Sequence, residues 1–174
     1  MKKVISVSLS VKGIDQLIEA IEQYRRWLRE KSELLVERLA NEGYQIASVR
    51  FSQAEYDGKN DTSVSVEARG QGVSAVVAVG AATLFIEFGT GVTYPDNHPE
   101  AVQNGMIRGS YGKGHGKQQS WGYYGEPGTN GRVIRSTEKG ELVLTHGNPA
   151  NMPMYETVRD LESRLSGIVR EVFR

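Results

Sequence analysis

The glycine-rich segment from Gly112 to Lys117 is the part of the chain most suggestive of chemistry, because glycine–lysine pairs occur in loops that bind phosphate. Its spacing does not fit such a loop. A Walker A motif needs a glycine five residues before the Gly116–Lys117 pair, and Tyr111 stands there. The next residue, Gln118, has no hydroxyl group for magnesium. We therefore interpret this segment as a flexible basic loop.

The histidines do not form a metal-binding pattern. His98, His115 and His146 are far apart, with no helical histidine pair and no carboxylate–histidine cluster. Asp96 could meet a metal together with His98, but the prolines on both sides favour a stiff turn. The chain has no cysteine, which excludes a disulfide framework, a thiolate metal site and a cysteine nucleophile. We expect neither a metal nor a cofactor.

Glu87 is the one carboxylate inside a strongly apolar run. Such a group could act as a general acid. It could instead accept hydrogen bonds from the backbone amides of residues 89–91, or pair with an arginine. No partner acid or base is visible in the sequence, so we favour the structural role. We expect no catalytic residue and no enzyme activity.

Residues 92–131 contain no periodic segment, many glycines, several aromatic residues and a local excess of basic residues. A loop of this length in a compact domain is usually functional, or disordered until it is bound. Aromatic and basic side chains can bind single-stranded nucleic acid, but tyrosine, tryptophan and arginine are also enriched at protein interfaces. The predicted interface residues are Arg108, Tyr111, Lys113, His115, Lys117, Trp121, Tyr123 and Tyr124.

Composition favours the protein interface. The 174 residues include 21 basic and 21 acidic ones, so the formal net charge is zero. Binding to DNA or to an anionic membrane over the whole surface needs a basic excess. Apolar residues make up 39% of the chain, enough for one domain with its own core. We expect a single soluble domain over residues 1–174, with no segment that spans a membrane.

The periodicity predicts which elements carry these residues. Alternating apolar residues predict a first strand over residues 4–11, which we prefer to a signal peptide, and Gly13 should end it. A long amphipathic helix should follow, then a hairpin of residues 62–68 and 73–79, and a short helix ended by Gly89. A second hairpin spans 132–137 and 141–145, and a last helix begins near Pro153. The fold class is therefore α+β, with two helices packed on a mostly antiparallel sheet.

The segment Phe85-Ile86-Glu87-Phe88-Gly89-Thr90-Gly91 resembles a motif of the tail-component family of long-tailed bacteriophages and prophages. Members of that family are minor tail, tail-completion or head–tail joining (neck) proteins. The family also has an early amphipathic helix, a hairpin, a variable loop and a proline-rich entry to a last helix. Here the segment from Asn148 to Tyr155 is similar to that entry, and the resemblance covers about residues 14–173.

The resemblance implies a structural role in the neck or tail of the virion, after synthesis in the host cytoplasm. It implies no enzyme activity and no cofactor. The expected partners are copies of the chain itself, in a ring with six-fold symmetry, and neighbouring neck and tail proteins. Contact with DNA would be non-specific at most. The alternative from the residues alone is a small nucleic-acid- or ligand-binding protein that uses the basic loop.

Overall fold

The computed structural model describes residues 10–91, 97–107, 109–110, 118–128 and 131–174. The predicted strand at residues 4–11 lies outside these ranges except for its end. That end is not a strand, because Val11 is the first residue of helix α1, Val11–Ser52. The Ser10 hydroxyl accepts the Gly13 N–H at 3.1 Å and caps the helix. Gly13 therefore lies inside the first turn of the helix and does not precede it.

The other predicted elements are present, with one addition. Strands β1, Ser63–Ala68, and β2, Ser74–Val79, form an antiparallel hairpin. Helix α2 spans Thr83–Phe88 and is followed by Gly89. A second sheet has the order β3–β5–β4 and is antiparallel throughout; its strands are β3, Trp121–Tyr124, β4, Arg132–Thr137, and β5, Gly140–Thr145. Helix α3 spans Pro153–Val172. The α+β fold class is confirmed, with the antiparallel strands divided between two sheets.

Strand β3 corrects the prediction that residues 92–131 hold no regular element. Its four residues are too few to show a period of two in the sequence. It forms because Trp121–Tyr124 pairs with Thr145–Leu142 of β5, the central strand. The strand thus depends on a partner that is remote in sequence.

The main core lies where the end of α1 meets the first hairpin, α2 and the start of α3. Ala47, Phe51, Ala82 and Ile86 are at most 3% exposed and pack together. A Cβ atom at Gly43 would lie 3.0 Å from Val76 of β2. Glycine therefore lets helix and sheet approach closely there.

Helices α1 and α3 run antiparallel along each other. Arg50 pairs with Asp160 at 2.8 Å, near the end of α1 and the start of α3. Arg38, nearer the start of α1, pairs with Glu171 at the end of α3, at 3.1 Å. Helix α3 carries an apolar stripe in which Ile168 and Val172 are buried, whereas Val158 and Leu165 are more than 40% exposed. The stripe therefore serves partly as a seam with α1 and is partly open to solvent.

Candidate functional site

The segment from Phe85 to Gly91 is the end of α2 and the turn that follows it. The Asp61 carboxylate accepts the N–H groups of Ala82 at 2.9 Å and Ala81 at 3.0 Å, at the start of this short helix. These two bonds lower the pKa of Asp61. Ile86, Glu87 and Phe88 are buried. The helix therefore carries its one carboxylate into the interior.

Glu87 caps helix α3. Its carboxylate accepts the N–H of Met154 at 2.8 Å and that of Tyr155 at 3.0 Å. These belong to the first turn of α3, where backbone N–H groups have no partner within the helix. The N-cap residue Met152 has a left-handed backbone, with φ of 55°, and makes no side-chain capping bond. A carboxylate from another element thus supplies the cap and lies at the favourable end of the helix dipole.

His98 is the third partner of Glu87. Its Nε2 atom lies 3.0 Å from Oε1 of Glu87, and its Nδ1 atom accepts the N–H of Glu100 at 3.1 Å. Because Nδ1 accepts, the ring proton belongs on Nε2, which donates to the carboxylate. The ring also packs against Phe88, at 4.4 Å between centroids, and against Tyr155, at 5.3 Å. The segment after residue 97 is thereby fixed to both helices.

The predicted partners of Glu87 differ from the observed ones. The sequence suggested the amides of residues 89–91, but the N–H of Gly89 bonds to Phe85 O and that of Thr90 to Asn148 O. The N–H groups of Met154 and Tyr155, 67 and 68 residues away, bind the carboxylate instead. His98 stands where the sequence suggested an arginine. Both carboxylate oxygens accept hydrogen bonds from within the chain, as a structural role requires.

The turn after α2 is joined to the proline-rich entry of α3 by backbone bonds. Asn151 N–H donates to Ile86 O at 2.9 Å, and Thr90 N–H donates to Asn148 O at 2.9 Å. The Thr90 hydroxyl accepts the Asn148 N–H at 3.0 Å. Gly89 has φ of 80°, and a Cβ atom there would lie 2.8 Å from Ala150 N. The two segments therefore form one unit, which only glycine permits at position 89.

Three of the predicted aromatic interface residues, Trp121, Tyr123 and Tyr124, lie on β3. A Cβ atom at Gly91 would come within 3.1 Å of the Trp121 ring, so Trp121 packs over the end of the motif. The Tyr123 hydroxyl donates to the backbone carbonyl of Asp57. Tyr124 is 52% exposed. Trp121 and Tyr123 are thus used within the chain, and Tyr124 is the aromatic of this strand that faces solvent.

The remaining predicted interface residues fall outside the ranges that the structure describes. They are Arg108, Tyr111, Lys113, His115 and Lys117. Their role as an assembly surface or as a basic loop stays a prediction.

Asp57 is a second buried acid, and nothing in its polar sequence surroundings predicts the burial. Its carboxylate accepts the Thr145 hydroxyl, and its N–H donates to Oδ1 of Asn148 at 2.7 Å. Its carbonyl also accepts the N–H of Gly128 at 2.6 Å. The pKa of Tyr123 is raised to about 12, mainly by burial and further by the negative charges of Asp57 and Tyr56. Asp57 therefore connects the exit of α1 to the three-stranded sheet.

Within the described ranges, no group of three or more histidine, aspartate or glutamate side chains is arranged to hold a metal ion. None of the helices in those ranges combines the length and apolar character needed to cross a membrane. Comparisons with protein-family profiles, with curated proteins and with solved structures found no match to this chain.

Proposed function

We propose that this chain is a structural protein of a long-tailed phage or prophage, a tail-completion or head–tail joining component. In this role it assembles into a ring and links the tail to the head. The proposal rests on the resemblance of two segments, residues 85–91 and 148–155. The observation that carries it is that these segments lie together and share a continuous set of hydrogen bonds.

The use of the buried polar groups supports the same role. The carboxylate of Glu87 binds backbone N–H groups and a histidine, and that of Asp57 binds a hydroxyl group; both residues are 6% exposed. Such contacts fix the relative positions of helices and sheets, because a buried carboxylate is costly unless its hydrogen bonds are made. A rigid frame of this kind suits a protein that must present the same surfaces in every copy of a ring.

The test is deletion of the gene in the phage or prophage that encodes the chain. Failure of completed heads and tails to join would support the proposal, and complementation by the intact gene should restore joining. Normal infectious particles after the deletion would contradict it. Locating the chain by electron cryomicroscopy of whole particles gives a second readout, with density expected at the neck or the tail end next to it.

The alternative function is distinguished by a binding measurement on the purified chain. A nucleic-acid-binding protein should bind single-stranded oligonucleotides with an affinity that falls steeply as salt increases. The structural role predicts no sequence preference and weak binding at physiological salt. No described contact favours the alternative.

A further inference from the structure

The first half of α1 presents an apolar face that the rest of the described chain leaves open, apart from the contact of Phe173 with Trp27 at 5.9 Å between ring centroids. Helix α1 has 42 residues and is about 63 Å long. Its buried residues other than Gly13 begin at Ala40. Closer to the start, five apolar side chains on this side of the helix remain between 41% and 52% exposed: Ile14, Ile18, Ile21, Tyr24 and Leu28.

The spacing of this face is that of a helix–helix seam. Ile14, Leu17, Ile21, Tyr24 and Leu28 follow alternating steps of three and four residues. The stretch from residue 14 to residue 28 is a continuous helix about 21 Å long. An apolar stripe of this kind on a single helix is stable in water when a second helix packs on it.

Charge is divided along the same stretch. Residues 12–22 carry three acids and one base, Asp15, Glu19, Glu22 and Lys12. Residues 25–31 carry four bases and one acid, Arg25, Arg26, Arg29, Lys31 and Glu30. Among the described residues, the arginines of this stretch form no ion pair with another element. The acidic half and the basic half are therefore both available to a partner.

We propose that a second copy of this chain packs on this face, with the two α1 helices antiparallel about a two-fold axis near residues 22 and 23. That orientation places the acidic half of each helix beside the basic half of the other. A parallel orientation would place like charges side by side, which is unfavourable. A two-fold contact uses the same patch on both copies and closes at a dimer, so it is separate from any ring contact.

The heptad pattern fixes the register. Setting Leu17 opposite Leu28 of the second copy also sets Ile21 opposite Tyr24. Glu22 then lies beside Arg25 of the second copy, and the two-fold axis repeats the pair. In the same register the two Leu17 side chains lie about 16 Å apart along the axis. Orientation is thus measurable as a distance.

Cross-linking tests the orientation, because the chain has no cysteine of its own. The Leu17→Cys and Leu28→Cys variants are purified separately, mixed, and oxidised at a concentration where the mass shows a dimer. We expect disulfide-linked dimers in the mixture and little linkage in either variant alone. Linkage of Leu17→Cys to itself, or no linkage in the mixture, would overturn the antiparallel contact.

Sedimentation equilibrium, which measures the dissociation constant of the dimer, tests whether the apolar face stabilises it. The double substitution Ile14→Glu with Ile21→Glu should raise the dissociation constant at least about tenfold, since it places charge in the seam. The control is Gln16→Glu with Gln23→Glu, which adds the same charge on an exposed face of the same helix. Circular dichroism should show equal helix content in both variants.

Charge substitutions test the dimer without changing any apolar residue of the seam. Asp15→Lys with Glu22→Lys makes both halves basic, and Arg25→Glu with Arg29→Glu makes both acidic. Each variant alone should dimerise more weakly than the unchanged chain, and the mixture should form a one-to-one heterodimer. A monomer at all concentrations in the unchanged chain would overturn the proposal. Neither result depends on particle assembly, which tests the proposed function separately.

Discussion

Glu87 holds the first turn of a helix that begins far from it in the sequence: its carboxylate accepts the N–H of Met154 at 2.8 Å across 67 residues. This contact joins the short helix α2 to α3. The same carboxylate binds His98, which belongs to neither helix. One buried carboxylate therefore joins α2, α3 and the segment that carries His98.

The substitution Glu87→Gln should lower the free energy of unfolding by about 1–3 kcal/mol. The amide has one acceptor oxygen where the carboxylate has two, so its NH2 group must face a backbone N–H or the His98 Nε2–H. The negative charge at the start of α3 is also lost. Urea denaturation followed by circular dichroism measures the change.

The matched control is Glu162→Gln, which makes the same chemical change at an exposed position on α3. It should alter the stability by less than about 0.5 kcal/mol. Equal effects of the two substitutions would contradict the capping role of Glu87.

The proton of neutral His98 should reside on Nε2. The Nδ1 atom accepts the N–H of Glu100, which it cannot do when it carries a proton. Long-range proton–nitrogen NMR correlation distinguishes the two tautomers, and the exposed ring of His146 provides a reference within the same protein. A proton on Nδ1 of His98 would show that the contact with Glu100 is not made.

The sequence predicted the elements whose signals are local. The first hairpin was predicted from alternation of apolar residues, α2 from its apolar run followed by Gly89, and α3 from Pro153 and its period. Strand β3 was missed because its four residues are specified by pairing with β5 rather than by their own pattern.

The candidate site was predicted less completely. Glu87 stood out as a carboxylate in an apolar run, but the identity of its donors depends on tertiary packing that brings Met154 beside it. Asp57 carries no comparable signal, because it lies in a polar stretch of the sequence, and the hydroxyl that its carboxylate binds belongs to Thr145, 88 residues later. Neither long-range contact leaves a trace in the local sequence pattern.

Gly89→Ala should destabilise the protein, whereas Gly167→Ala should stabilise it. Gly89 has φ of 80°, and an added Cβ atom would lie 2.8 Å from Ala150 N, so strain alone costs about 1–3 kcal/mol. Gly167 lies in α3 with no atom within 4 Å of an added Cβ. Alanine there should add about 0.5–1 kcal/mol of stability through helix propensity.

The two glycine variants are compared by urea denaturation under identical conditions. Because the chemical change is the same, opposite signs isolate the backbone conformation at position 89. A neutral effect of Gly89→Ala would show that the turn can relax without loss of the bond between Thr90 and Asn148.

Tyr123 should be among the last tyrosines to ionise as pH rises. Burial and the Asp57 carboxylate raise its pKa from 10.0 to about 12 in the folded protein. The unfolded chain loses this proton first, so the contribution of Tyr123 to stability is fully present below pH 10 and declines as pH rises from 10 to about 12. The stability advantage of the unchanged chain over Tyr123→Phe should therefore shrink across that interval. Ultraviolet absorbance of tyrosinate gives an independent readout. Burial also raises the pKa of Tyr56, so the late component should lose the amplitude of one tyrosine in Tyr123→Phe and keep its full amplitude in Tyr124→Phe, where the substituted ring is exposed. A late component of undiminished amplitude in Tyr123→Phe would assign it wholly to other tyrosines and contradict the packing of Tyr123 against Asp57.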